Sequence, residues 1–131
     1  MTDLPTSRTT HVLLADDDAL SRSIVRQFLS ECGSITFHEA ADGRQAVERI
    51  MTQRYDLVVV DQNMPFITGD RIIRLLQSGT TPNAATPVIH LTASADAVSS
   101  VDHLVSVVPK PVRKHEFLQI ATSALGSASP W

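Results

Sequence analysis

This sequence has one cysteine and no apolar run of membrane-spanning length. Because Cys32 has no second cysteine to pair with, an internal disulfide is excluded, and a reducing compartment is expected. No apolar run approaches the ~18 residues that a membrane-spanning helix requires. The first ten residues are polar and lack the apolar segment of a secretory signal. We therefore predict a cytoplasmic protein with no membrane partner.

Several kinds of binding site also find no support in the sequence. Eleven basic residues stand against fourteen acidic ones, so the chain offers no basic surface for direct contact with nucleic acid. Its five glycines are dispersed and form neither a Gly-x-Gly-x-x-Gly turn nor a P-loop, which argues against nucleotide binding. The histidines share no spacing typical of a zinc site; they are His11, His38, His90, His103 and His115.

Short apolar runs alternate with amphipathic segments along the 131 residues. Runs rich in β-branched residues predict five strands, at 11–15, 35–40, 57–60, 88–92 and 105–108. Apolar residues at intervals of three and four predict a helix after each strand. The first helix carries Leu20, Ile24, Val25, Phe28 and Leu29, the fourth covers about 95–104, and the last runs over 114–125. Asp18 is a predicted N-cap, and residues 42–45 form a predicted capping box.

This alternation predicts an α/β fold with a five-stranded parallel sheet and five helices on both faces. We expect one domain at 11–126, between a flexible N-terminal tail at 1–10 and a C-terminal tail at 127–131. Because crossovers between parallel strands are right-handed, the carboxyl ends of all the strands should meet at one edge of the sheet.

Polar side chains capable of chemistry follow four of the predicted strands. Asp16 and Asp17 follow the first strand, Asp61 the third and Thr92 the fourth, and Lys110 comes after the fifth. Clustered carboxylates repel each other unless a cation neutralises them, and hard oxygen ligands beside a phosphate suit Mg²⁺. A carboxylate can attack phosphorus to give an acyl phosphate, while a lysine and a threonine hold the phosphoryl oxygens. The set predicts phosphoryl transfer to an aspartate.

In these motifs the sequence resembles the response-regulator receiver domains of two-component signalling, over about residues 10–126. The motifs are Leu14-Ala15-Asp16-Asp17, Asp61-Gln62-Asn63-Met64-Pro65 with Gly69, Leu91-Thr92-Ala93, and Lys110-Pro111. The resemblance implies a flavodoxin-like strand order of 2-1-3-4-5.

The resemblance also implies roles for individual residues. Asp61 would be the phosphoacceptor and Asp17 a direct Mg²⁺ ligand, with Asp16 behind it acting partly through water. The main-chain carbonyl of Asn63 would complete the metal site, together with Asp61 itself. Thr92 and Lys110 would bind the phosphoryl group, and Ala93 would leave room for it. The bond between Lys110 and Pro111 is expected to be cis.

One position departs from the usual pattern. Receivers often carry Tyr or Phe three residues before the lysine, where this chain has Val107. The aromatic side chain usually reports phosphorylation by moving inward. We therefore expect signalling to depend on the loop and helix after Thr92, or on an apolar surface around Val105 and Val107.

The resemblance implies that a sensor histidine kinase or a histidine phosphotransfer protein supplies the phosphoryl group. The protein would then act on an unidentified downstream protein, not as an enzyme beyond assisting its own phosphorylation and dephosphorylation. We predict a docking face at residues 20–24 with the loop after Thr92 and the fifth strand. The fourth helix, fifth strand and fifth helix form the predicted switching surface, which could also serve a homodimer.

Two other functions remain open at this stage. A phosphatase of the haloacid-dehalogenase type also forms an aspartyl phosphate, but it needs an acid two residues after the nucleophile, and that residue is Asn63 here. The chain is also short for the cap region of such enzymes. The other alternative is an interaction module of the same fold that accepts no phosphate.

Overall fold

The structure is a computed structural model and describes residues 9–93 and 104–127. Its strands are β1 (Thr10–Ala15), β2 (Ile35–Ala40), β3 (Leu57–Asp61), β4 (Val88–Thr92) and β5 (Val105–Pro109). The α-helices of the described ranges are α1 (Ala19–Leu29), α2 (Gly43–Thr52), α3 (Gly69–Gln77) and α4 (Lys114–Ser127). A 3-10 turn, Ser30–Cys32, follows α1.

The five strands form one parallel sheet with the order β2-β1-β3-β4-β5. This confirms the predicted sheet and its 2-1-3-4-5 order. The helix predicted at 95–104 falls outside the described residues except at Leu104, so four α-helices are seen in the described part of the chain, against five predicted. No helix in the two described ranges is long and apolar enough to cross a bilayer.

Alternate side chains of the central strands enter two cores, one on each face of the sheet. On one face, Leu13, Val58 and Val60 pack against α2 and α3, which contribute Ala46, Ile50, Ile72, Ile73 and Leu76. On the other face, Val12, Val59 and Leu91 pack against α1 and α4, which contribute Val25, Leu29, Phe117 and Ala121. Complete burial of one such large apolar side chain stabilises the fold by roughly 1.5–3 kcal/mol.

The predicted caps are present at two helix starts. The Asp18 carboxylate accepts a hydrogen bond from the backbone N–H of Leu20 at 3.0 Å. At α2, the Asp42 carboxylate accepts from the backbone N–H of Gln45, and the Gln45 side chain accepts from Ala41, both at 2.8 Å. Each bond satisfies a donor that a helix start leaves unpaired.

Several large apolar side chains are exposed. Leu20 is 67% exposed and Ile24 40% exposed, although both belong to the apolar face predicted for the first helix. Both residues lie in the predicted docking face at residues 20–24. Met51 of α2 is 43% exposed. Phe66, in the loop after β3, is also exposed, and the Arg44 guanidinium carbon lies 3.7 Å from its ring centroid.

Element ends differ from the prediction by small amounts. Strand β1 begins at Thr10, one residue inside the predicted tail. Helix α4 continues through Gly126 to Ser127, where the sequence predicted a stop at Gly126. Helix α1 ends before the 3-10 turn, and Gly33 follows with a positive φ of 122°.

Candidate functional site

Three carboxylates meet at the carboxyl edge of the sheet. Asp16 and Asp17 follow β1, Asp61 ends β3, and one oxygen of each lies within 4.8 Å of the others. Asp16 and Asp61 are buried, at 4% and 1% exposure, whereas Asp17 is exposed. The structure therefore brings together the three acids that the sequence predicted as neighbours.

Burial dominates the chemistry of Asp16. Its Oδ1 accepts a hydrogen bond from the backbone N–H of Asp18 at 2.9 Å, while its Oδ2 is buried without a hydrogen-bond partner among the described residues. Desolvation raises the pKa of Asp16 to about 6, the Asp18 hydrogen bond opposes this, and the Asp61 carboxylate adds to the increase. The Asp16 carboxylate is therefore ionised at neutral pH at an energetic cost.

Lys110 supplies the positive charge of the site. Its ammonium forms an ion pair with Oδ1 of Asp61, an oxygen that makes no hydrogen bond of regular geometry within the described part of the chain. The Lys110 backbone N–H donates to the Thr92 carbonyl at 3.0 Å, which ties the loop after β5 to the end of β4. The Lys110–Pro111 bond is cis, as predicted.

The other two predicted site residues lie at the same edge but have different exposure. Thr92 ends β4 and is 3% exposed, one residue beyond Leu91, the register partner of Asp61. Asn63 is exposed in the loop after β3. Gly69 lies at the end of this loop and packs directly against the backbone of Asp61. A Cβ at this position would lie 2.5 Å from the Asp61 carbonyl oxygen, so only glycine fits without a shift.

The donor set fits a divalent cation with hard oxygen ligands. Three carboxylate oxygens converge, and the buried Oδ2 of Asp16 still needs a partner. A magnesium ion would be held by Asp17 and Asp61, with Asp16 behind them and the Asn63 carbonyl nearby. When bound, it would neutralise the repelling acids and the charge of a phosphoryl group.

Replacing Asp16 by asparagine should stabilise the metal-free protein at neutral pH. Folding raises the pKa of Asp16 from 3.8 to about 6, which means that the folded state favours the protonated side chain. The contribution of this group to the free energy of unfolding is therefore complete below pH 3.8 and is lost as the pH rises through 6. An asparagine side chain at this position stays uncharged and avoids that loss. With a chelator present, we expect Asp16→Asn to raise the free energy of unfolding by roughly 1–3 kcal/mol at pH 7.5 and by little at pH 4.

Urea unfolding at the two pH values measures this difference. Glu48→Gln removes one negative charge from the exposed face of α2 and is the control. An Asp16→Asn variant no more stable than the parent at pH 7.5 would show that burial imposes no cost on the carboxylate.

A polar network beside Asp61 was not predicted from the sequence. The Gln62 side chain exchanges hydrogen bonds with Asp70 and lies 2.7 Å from Nε2 of the buried His90. A histidine in the middle of an apolar strand was the available signal. Two other histidines are in contact, since Nδ1 of His11 lies 3.0 Å from Nε2 of His38.

Arg22 also has an unexpected position. Its guanidinium donates to the Asp16 carbonyl at 2.5 Å and to the Glu39 carboxylate at 2.8 Å. The Arg22 side chain is only 16% exposed. It therefore supports the acidic loop from within the chain, although the sequence placed it on a docking face.

Comparison with known proteins gives a consistent family match. The family model of the response regulator receiver domain matches residues 12–122. The sensor protein EvgS of Escherichia coli O157:H7 is 36% identical over 86 residues, which cover 66% of this chain and 7% of the sensor. The transcription factor SKN7 of Saccharomyces cerevisiae is 29% identical over 124 residues, which cover 92% of this chain and 19% of that protein. The chain thus spans a small part of each relative.

Solved structures share the fold. The receiver domain of a sensor histidine kinase from Pseudomonas aeruginosa PAO1, with a magnesium ion coordinated in its active-site cleft, gives a TM-score of 0.75 at 24% identity. That match covers 91% of this chain and 99% of the other. The chemotaxis protein CheY4 of Vibrio cholerae gives a TM-score of 0.73 at 25% identity and covers 90% of this chain and 100% of the other.

Proposed function

Because this chain belongs to the response regulator receiver domain family, we propose that it is a Mg²⁺-dependent phosphoacceptor that carries a phosphoryl group on Asp61. The observation that carries the proposal is the meeting of Asp16, Asp17 and Asp61 at one sheet edge, with the Lys110 ammonium paired to Asp61. The function is signalling by protein–protein contact, and the only reactions assisted are the gain and loss of the chain's own phosphoryl group.

Each residue has a defined part in this chemistry. An oxygen of Asp61 attacks the phosphorus of a phosphohistidine, the P–N bond breaks, and the electron pair returns to the imidazole of the donor. The Lys110 ammonium would stabilise the negative charge that develops on the phosphoryl oxygens, and the Thr92 hydroxyl would donate a hydrogen bond to one of them. The metal would be held by Asp16, Asp17, Asp61 and the carbonyl of Asn63.

A small phosphodonor tests the proposal directly. Incubation of the whole chain with acetyl phosphate and Mg²⁺, followed by intact-mass measurement, should show the gain of one phosphoryl group. Chelation of the metal should suppress the gain, because the acid cluster then repels the incoming phosphate. If the mass does not increase with Mg²⁺ present, the result would favour the alternative that the chain is an interaction module of the same fold that accepts no phosphate. Continuous hydrolysis of external phosphoesters would indicate a phosphatase instead.

The proposal extends to partners and to the remaining fold. The phosphoryl donor is a sensor histidine kinase or a histidine phosphotransfer protein in the cytoplasm, and the target is a downstream protein. The segment 95–104, which the sequence predicts to be a helix, would form the switching surface together with β5 and α4, and the same surface would serve a homodimer. These parts of the proposal rest on the sequence and on family membership.

The docking face for the donor adjoins the acid site. A groove of about 220 Å³ is lined by Ile24 and Val25 of α1, by Pro111 and Val112, and by Asp16 and Lys110 of the acid site. Leu20 projects from the first turn of α1 and is 67% exposed. An apolar helix surface of the donor could cover Leu20 and Ile24 while its histidine reaches Asp61, since Asp16 and Lys110 beside Asp61 also line the groove.

Leu20→Ala should therefore slow transfer from a protein donor and leave uptake from acetyl phosphate unchanged. We expect about a tenfold loss in the transfer rate, because an exposed leucine buried at an interface contributes on the order of 1–2 kcal/mol. Arg22 is a poor probe, since its contacts with Glu39 and Asp16 would be lost as well.

Transfer from a kinase or phosphotransfer domain that phosphorylates the parent chain measures the Leu20 effect. Met51→Ala removes another exposed apolar side chain, from α2, and is the matched control. Equal transfer rates for Leu20→Ala and Met51→Ala would place the donor elsewhere.

A further inference from the structure

A buried histidine beside the acceptor strand has no part in the chemistry described above. His90 is the middle residue of β4, and its side chain is fully buried. Its register partners are Val60 of β3 and Val107 of β5. Register partners in a parallel sheet project to the same face, so these three side chains are neighbours. A polar ring there needs a hydrogen-bond partner, and Gln62, which follows Asp61, provides it.

The bonds of Gln62 determine which ring nitrogen of His90 carries the proton. Oε1 of Gln62 accepts from the backbone N–H of Asp70 at 2.9 Å, and Nε2 of Gln62 donates to Oδ1 of Asp70 at 2.9 Å. The side-chain oxygen of Gln62 therefore faces His90, 2.7 Å from its Nε2, and that nitrogen must be the donor. Burial lowers the pKa of His90, which favours a neutral ring with its one proton on Nε2.

Gln62 also closes the base of the acceptor loop. Its backbone N–H donates to the Leu91 carbonyl at 2.9 Å, and its carbonyl accepts from the Gly69 N–H at 3.0 Å. The Asp70 carboxylate accepts from the Thr68 hydroxyl as well as from Gln62, and both bonds lower the pKa of Asp70. The loop from 62 to 69 is thus fastened at both ends to one glutamine residue.

We propose that His90 is a positioning residue for phosphoryl transfer, which holds the Gln62-closed loop, and with it the Asn63 carbonyl, in place beside Asp61. The proposal rests on the proposed phosphoacceptor function. The His90–Gln62 hydrogen bond also links the loop after Asp61 to β4. His90 is the register partner of Val107 on β5, the position at which receivers often carry an aromatic residue. A displacement of the loop on phosphorylation would reach β4 through this hydrogen bond.

Two variants of His90 separate hydrogen bonding from space filling. His90→Met fills a similar volume but cannot donate to Gln62, whereas His90→Gln offers an amide N–H to the same acceptor. We measure the rate of phosphate uptake from acetyl phosphate, the dissociation constant for Mg²⁺ by calorimetry, and the urea midpoint of the whole chain. His90→Met should take up phosphate about tenfold more slowly, because small misplacements of a reacting group cost one to two orders of magnitude. Mg²⁺ binding should weaken about threefold or more.

His90→Gln should recover most of both losses. The double variant His90→Met/Gln62→Leu removes the His90–Gln62 bond together with the two side-chain bonds between Gln62 and Asp70. It should therefore take up phosphate at least as slowly as His90→Met alone, and comparison of the two urea midpoints shows how much the Gln62 oxygen left unpaired by His90→Met costs in stability.

The proposal is overturned if His90→Met matches the parent in uptake rate and Mg²⁺ affinity, or if His90→Gln is as impaired as His90→Met at equal stability. Failure of the proposed function is a separate result, in which the parent chain itself gains no phosphate. In that case the Mg²⁺ dissociation constants of the variants decide the positioning role on their own.

Discussion

Asp61→Asn should abolish the gain of the phosphoryl group from acetyl phosphate in the presence of Mg²⁺. Asparagine nearly matches aspartate in size, but its amide is a poor nucleophile toward phosphorus and cannot form a stable acyl phosphate. Asp61 is the end of a buried strand, and its backbone N–H and carbonyl lie within the sheet, so the fold should survive the substitution. Intact mass after timed incubation measures the loss, which we expect to be complete.

Asp18→Asn is the matched control for this experiment. It makes the same chemical change two residues from Asp16 and keeps the cap of α1, because asparagine caps helices as well as aspartate does. The control variant should gain phosphate at nearly the parent rate. A full gain in the Asp61→Asn variant would move the acceptor to another residue and remove the main support for the proposed chemistry.

Lys110→Met should slow phosphate uptake by about 100-fold while leaving the fold intact. The ammonium is paired with the acceptor oxygen and is the positive side chain against the three acids. Removal of one preformed donor to developing charge typically costs 10²–10³ in rate. Lys110→Arg should recover little of the rate, since a planar guanidinium cannot replace a compact ammonium at a half-buried position.

Lys114→Met provides the comparison for Lys110. Lys114 is the only other lysine in the chain, and its ion pair with Glu31 is about half exposed at both ends. Exposed pairs of this kind contribute little to stability. Uptake by Lys114→Met should equal that of the parent chain. Equal rates for the Lys110→Met and Lys114→Met variants would show that the ammonium beside Asp61 takes no part in the transfer.

Hydropathy periodicity predicted the sheet well because the strands are fully buried. Strands β3 and β4 are buried at every residue, so their apolar runs are nearly uninterrupted and end at Asp61 and Thr92. The same reasoning placed the acids, since parallel strands bring their carboxyl ends to one edge. The three acids and the lysine could therefore be grouped from the sequence alone.

Side-chain exposure and long-range polar contacts could not be predicted from the hydropathy pattern. Spacing by three and four identifies an apolar face but does not say how deeply each of its residues is buried, and Leu20 is 67% exposed. Hydrogen bonds between distant residues leave no periodic trace, so the His90–Gln62 bond was not predicted. Asn83, in the loop between α3 and β4, is fully buried and bonds to Tyr55, Ile50 and Gln53, and no spacing in the sequence predicts these bonds.

Close backbone contacts at two glycines restrict the backbone of the loop between β3 and α3 but not its exposed side chains. A Cβ at Gly43 would overlap the Ile67 carbonyl oxygen, and Gly69 has a similarly close contact with the strand that ends in Asp61. The path of the loop is thus determined by main-chain proximity and not by the outward side chains it carries. Phe66 stands on that loop, exposed, within a few residues of the acceptor. The side chains on this loop, Phe66 among them, could therefore change without moving the backbone beside Asp61.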